Sequence, residues 1–86
     1  MKTVKTTDTY EASYYLMNGA TIETIRTRNV PSNKQEQKGL KTECILHLKD
    51  VPEWAYLGWN EGICYADIIK FSKMRIKLKK LIKNYV

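Results

Sequence analysis

The last quarter of the chain contains the feature that most restricts its fold. From Tyr65 to Tyr85 there is neither Gly nor Pro, and apolar residues recur every three or four positions, the spacing of one face of an α-helix. These apolar positions are Phe71, Met74, Leu78, Leu81 and Tyr85. At about 100° per residue they occupy one narrow sector. The pattern predicts a long amphipathic helix whose apolar side packs on a core.

A shorter helix is predicted near the start of the chain from the residues that would begin and end it. Asp8 and Glu11 form a D-x-x-E capping pair, in which the first carboxylate accepts from first-turn amides and the second reaches back. Gly19 follows the Ala-, Leu- and Tyr-rich stretch 9–17 and can adopt the left-handed conformation that closes a helix.

A second capping pair predicts another short helix in the middle of the chain. Asp50 precedes Glu53 by three residues, and Pro52 lies in the first turn, where its missing N–H costs nothing. The Asn-Glu-Gly sequence at 60–62 ends this helix. The residues expected to face inward are Trp54, Leu57 and Tyr56.

Three segments are predicted as β-strands. Residues 2–6 suit an edge strand, and residues 20–28 and 42–49 are rich in β-branched or alternating apolar residues. Ile22 and Ile25 have opposite parity, so a bulge or bend is expected between them. The last two strands should pair as an antiparallel hairpin.

The order of these elements predicts the fold class. Residues 29–40 are polar, include Pro31 and Gly39 and show no helix or strand period, so they are expected to form a hairpin loop. The order β-α-β-β-α-α predicts one small α+β domain over residues 1–86, a two-layer sandwich with a three-stranded, mainly antiparallel sheet. A core of this size is marginal, and a homodimer would bury more surface.

Two motifs resemble a known family. Residues 7–19 carry the pattern T-D-x-Y-x-A-x-Y-x-L-x-x-G, and residues 78–82 read Leu-Lys-Lys-Leu-Ile, which fits the pattern Leu-Lys-x-Leu-Ile. These motifs are similar to those of a family of small bacterial and phage proteins classified only as a domain of unknown function. The matching positions cap and pack helices, so the resemblance implies a fold. Together with the small size of the chain, it also implies an origin in a phage or mobile element. It implies no activity, cofactor or catalytic residue.

Charge is the strongest indication of function. The chain has 15 Lys and Arg against 9 Asp and Glu, a net charge of +6, and no acidic residue follows Asp67. Four lysines recur at steps of three and four along one flank of the predicted helix: Lys70, Lys73, Lys77 and Lys80. Such a ridge attracts a phosphate backbone through counterion release, without sequence preference. Arg26, Arg28 and Lys49 on the sheet are expected to extend it. The alternative is that lysine is an ordinary helix former and solubiliser on a surface.

An apolar surface on the same helix indicates a second class of partner. Ile69 and Ile76 are one heptad apart and point away from the apolar stripe. Together with Trp59 they predict a docking surface for an acidic protein partner, for example when the chain acts as an inhibitor of a host defence system. The alternative is that the helix is packed on two sides.

Catalysis, metals and membranes are not expected. Cys44 and His47, three apart on a strand, point to opposite faces and cannot act as a nucleophile and its base. With Cys64 they supply three ligands, one short of a closed zinc site. We therefore expect no enzyme, metal or cofactor. With no apolar run of about 18 residues and no secretory signal pattern, we expect a cytoplasmic protein, bound to nucleic acid or to an acidic protein.

Overall fold

The sheet and its helices follow the predicted order. A computed structural model describes residues 1–31, 40–64 and 67–85. Strands β1 (Lys2–Thr6), β2 (Thr21–Pro31) and β3 (Leu40–Val51) form one antiparallel sheet in the order β1-β3-β2. The helices are α1 (Thr9–Met17), α2 (Glu53–Glu61) and α3 (Ile68–Lys83). The predicted α+β class and the order β-α-β-β-α-α are confirmed.

The hairpin between β2 and β3 is longer than predicted at both strand ends. Residues 29–31 pair with residues 40–42 in the ladder, so the ends of the predicted loop 29–40 belong to strands. Residues 32–39 of that loop lie outside the described residues.

The predicted irregularity in β2 is present. Ile22 pairs with Leu48 and Ile25 with Leu46, and the register shifts between Ile22 and Thr24. Leu46 and Leu48 are fully buried, and both isoleucines pack against the same core. The bulge therefore lets two residues of opposite parity face one layer.

A second bulge ends β3 and overturns one prediction. The register shifts between the pairs Lys2–Val51 and Val4–Leu48, and Asp50 within this shift has a φ of 57°. The shift turns Val51 onto the core side, where it is fully buried. Asp50 therefore belongs to a strand and does not cap α2. The sheet pairing with β1 outweighs the local capping signal.

The ends of α1 agree with prediction, except for one half of the capping pair. The Asp8 carboxylate accepts from the amides of Tyr10 and Glu11, at 2.8 and 3.4 Å. Glu11 does not return to the Asp8 amide, which donates instead to the Thr6 hydroxyl at 3.0 Å. Glu11 accepts hydrogen bonds from Thr6 at 2.7 Å and from Tyr15 at 2.8 Å, so it links β1 to α1. Gly19 has a φ of 107°, as a helix stop requires.

The orientation of α2 differs from prediction. Its N-cap is Pro52, which makes no side-chain capping bond. Trp54 is 61% exposed and Leu57 is also exposed, while Ala55 is fully buried. The half-buried aromatic residues beside Ala55 are Tyr56 and Trp59. The buried residue of the inward face is small because the helix lies close to α1. The prediction that Trp54 and Leu57 face inward is wrong.

Candidate nucleic-acid interface

Helix α3 begins at a cap that the sequence analysis did not single out. The Asp67 carboxylate accepts from the amides of Ile69 and Lys70, at 2.9 and 3.1 Å. The helix starts at Ile68, later than the predicted residue 65. Lys80 and Lys83 lie in its last turn, where positive charge complements the negative end of the helix dipole.

The inner side of α3 follows the predicted stripe only over its first three turns. Leu78 is 2% exposed, and Phe71 packs against the same core. Towards the end Ile82 packs inward, whereas Leu81 is 37% exposed and Tyr85 is also exposed. Helix α1, the main helical neighbour of α3, has nine residues against sixteen. At 1.5 Å per residue α3 is therefore about 10 Å longer, and its end extends past its support.

One of the seven cations of α3 serves packing. The guanidinium carbon of Arg75 lies 3.8 Å from the centroid of the Tyr10 ring, and this ring stacks on Phe71 at 6.3 Å between centroids. Cation–π contact of this kind joins the outer edge of α1 to α3. The role of Arg75 was not predicted, because its partner is 65 residues away in the chain.

The four predicted phosphate-binding lysines form one continuous surface, which we call the lysine ridge: Lys70, Lys73, Lys77 and Lys80. All four are exposed, and from the first to the last the helix rises about 15 Å. None forms a salt bridge within the described part of the chain, where the one salt bridge joins Arg28 to Glu43. The ridge therefore presents unneutralised positive charge to solvent.

The two arginines of the sheet lie elsewhere. Arg26 pairs with Ile45 and Arg28 with Glu43, positions that alternate with the core-facing Leu46. Both side chains thus project from the sheet face opposite the helices. The Nε atom of Arg28 also donates to the Glu43 carboxylate at 2.8 Å, which offsets its charge. Lys49 follows the core-facing Leu48 and lies on the same outer face. The prediction that Arg26, Arg28 and Lys49 extend the lysine ridge is therefore wrong.

An exposed apolar strip runs along the outer side of α3. Ile69 is 67% exposed and Ile76 55% exposed. Helical geometry places both about 160–180° from Leu78, between Lys73 and Lys80 on one side and the remaining surface lysines on the other. The helix is therefore not packed on two sides within the described structure.

Trp59 does not belong to this strip. Its ring lies 5.9 Å from that of Tyr14 between centroids, and the side chain is half-buried against the core. Trp59 therefore stabilises the contact between α1 and α2. The prediction that it forms one docking surface with Ile69 and Ile76 is wrong. Trp54 is the exposed indole of α2.

The structure does not bring the candidate catalytic groups together. Cys44 alternates with Leu46 and faces the core side, whereas His47 lies on the other face of β3. Burial raises the pKa of the Cys44 thiol above its ordinary value, which opposes formation of a nucleophilic thiolate. Cys64 is exposed.

Metal-binding clusters and membrane-spanning helices are both absent from the described residues. No group of three or more His, Cys, Asp or Glu is placed to hold a metal ion there. None of the helices in that part of the chain has the length and apolar character needed to cross a membrane.

Comparison with known proteins adds no identification. No family model, no curated protein and no solved structure matches the chain. The resemblance of its opening and closing helices to a family of unknown function stays a prediction, and function has to be argued from the surface of α3.

Proposed function

We propose that this chain is a non-enzymatic protein that binds nucleic acid through the lysine ridge of α3. The observation that carries the proposal is the charge of this helix. It has seven cations and no acidic residue, and its four ridge lysines are exposed without a carboxylate partner in the described structure. A helix with this surface binds a phosphate backbone by releasing condensed counterions, irrespective of base sequence.

The dimensions of the ridge set the expected salt dependence. Phosphates of one strand follow each other every 3.4 Å along a duplex, so a 15 Å ridge spans about four of them. Four contacts give a slope of about −3.6 for the logarithm of affinity against that of salt concentration. Raising the salt concentration from 50 to 200 mM should then weaken binding about 150-fold.

The test is fluorescence anisotropy with a labelled 20-base-pair duplex of arbitrary sequence, titrated with protein at several salt concentrations. The variant Lys73→Glu/Lys77→Glu should bind far more weakly, with about half the salt slope. The matched control is Lys5→Glu/Lys49→Glu, because both lysines are exposed on the sheet face opposite the helices. Each double variant has the same net charge of +2, since every exchange removes two units from +6. Equal losses in both variants would contradict a specific role for the ridge.

The exposed strip of Ile69 and Ile76 favours a second candidate function, docking on an acidic protein partner. Large apolar side chains rimmed by lysines are typical of such surfaces. Ile76→Asp should abolish capture of the partner from a nuclease-treated host lysate while leaving the duplex affinity within a few-fold of the unaltered protein. A capture that disappears with nuclease treatment alone would remove this candidate.

A further inference from the structure

An apolar groove lies on the inner flank of the lysine ridge. Helix α1, the start of β2 and α3 border an open groove of about 300 Å³, which we call the alkyl groove. Its walls include Leu16, Ile22, Met74, Leu78 and Leu81. Its one charged lining residue among the described side chains is Lys77. The volume falls at the lower end of the range for small-molecule sites, which combine apolar walls with few polar groups.

A basic cleft continues from this groove. It has about 250 Å³ and is lined by Met17, Met74 and three lysines of the ridge, Lys70, Lys73 and Lys77. The alkyl groove and this lysine cleft share Met74 and Lys77, so they meet at these two side chains. The molecule thus offers a hydrocarbon-lined space that opens at one end onto three ammonium groups.

We propose that the alkyl groove and the lysine cleft together bind a monomeric alkyl carboxylate, with its chain in the groove and its carboxylate on Lys77 and the neighbouring lysines. Charge complementarity selects an anionic head group, because the lysine cleft contains no acidic lining residue in the described structure. The walls of the groove select an alkyl chain, because they are apolar and Lys77 is the one charged side chain among the described residues that line it.

This assignment predicts that the affinity for the ligand increases with the length of its alkyl chain and requires a negatively charged head group. Each buried methylene changes affinity about fourfold, so decanoate should bind about fifteenfold more tightly than octanoate. Decyltrimethylammonium, which has the same chain length and the opposite charge, should not bind at the same concentrations because the lysines repel it.

Methyl-detected NMR on the full chain, without nucleic acid, tests the site. Decanoate, kept below its micelle concentration, should shift the methyl signals of Leu16, Ile22 and Leu81 and leave those of Ile69 and Ile76 in place. Equal shifts with decyltrimethylammonium, shifts centred on Ile69 and Ile76, or no shift at all would each overturn the proposal. Because no nucleic acid is present, these outcomes are independent of duplex binding.

Three variants test this site, and the first of them separates it from the proposed nucleic-acid function. Leu81→Trp fills the groove at a residue that is already 37% exposed, and it should weaken decanoate binding at least tenfold with an unchanged duplex affinity. Ile76→Trp, the matched control on the opposite side of α3, should leave decanoate binding unchanged. Lys77→Met adds no bulk and should reduce the preference for decanoate over decyltrimethylammonium, which Lys70 and Lys73 keep in part. An undiminished preference in Lys77→Met, or loss of decanoate binding in Ile76→Trp, would refute the assignment.

Discussion

Gly58 in the middle of α2 offers a test in which helix propensity and packing predict opposite signs. Alanine stabilises an exposed helix by about 1 kcal/mol relative to glycine. At Gly58, however, an added Cβ would lie 2.6 Å from the backbone oxygen of Ile63. Real Cβ atoms do not approach a backbone oxygen so closely, so the chain at Ile63 has to move.

The magnitude follows from what that movement disrupts. The Ile63 amide donates to the Gly58 carbonyl at 2.7 Å, and this bond closes the helix end together with the left-handed Gly62. Losing the bond costs about 1 kcal/mol, and forcing extra volume into a packed site costs about 1–3 kcal/mol. Against the propensity gain, we expect Gly58→Ala to lower the free energy of unfolding by about 1–3 kcal/mol.

Thermal unfolding followed by circular dichroism measures this change. For a domain of this size, the expected loss lowers the melting temperature by roughly 4–24 °C. Ser72→Ala on the exposed side of α3 is the control, because it adds helix propensity without contact and should leave the melting temperature equal or slightly higher. A melting temperature of Gly58→Ala at or above that of the unaltered protein would refute the packing argument.

Three further predictions concern stability. Leu78→Ala should lower the free energy of urea unfolding by about 2–5 kcal/mol, because Leu78 is the fully buried residue of α3. Leu81→Ala should lower it by less than about 1 kcal/mol. Equal losses in the two variants would contradict the observed inner face of α3. Asp67→Ala should cost about 1 kcal/mol through loss of the N-cap, and unchanged stability would show that the two amide bonds contribute little. Burial and a hydrogen bond to Glu11 raise the pKa of the Tyr15 hydroxyl. The neutral hydroxyl therefore stabilises the folded state in full below the ordinary tyrosine pKa of about 10, and this stabilisation decreases as pH rises above that value. Between pH 8 and 10.5 the free energy of unfolding, measured by urea titration, should decrease less for Tyr15→Phe than for the unaltered protein. The same decrease in both proteins would contradict this role of Tyr15.

The elements that could be predicted are those whose signals are local. The bounds 9–17 of α1 follow from Asp8 and Gly19, which act on amides and carbonyls within a few residues. The bulge in β2 follows from the parity of Ile22 and Ile25, because both had to reach one core. In these places the sequence pattern and the three-dimensional packing require the same backbone.

The predictions that failed depend on partners distant in sequence. Asp50 carries a strong capping pattern, yet pairing of β3 with β1 places it in a bulge with positive φ. The inward face of α2 could not be inferred from large apolar residues, because the buried residue there is Ala55 and Gly58 lies against the backbone of Ile63. Arg28 was assigned to a phosphate surface because its cross-strand partner Glu43 becomes apparent only once the register is known.

The charge pattern of α3 argues for binding rather than for solubility alone. A helix surface that serves solubility gains most from alternating signs, because Glu–Lys pairs at i,i+4 stabilise the helix and like charges there destabilise it by about 0.2–0.5 kcal/mol per pair. Along the lysine ridge Lys73 and Lys77 are one such pair at i,i+4, and the steps from Lys70 to Lys73 and from Lys77 to Lys80 are like-charge pairs at i,i+3. Together they cost about 1 kcal/mol. A domain of 86 residues has about 4–13 kcal/mol of stability, so this repulsion is a measurable fraction of it. An anionic ligand bound to the ridge removes this repulsion. A surface that served solubility alone would keep the repulsion with no compensating interaction.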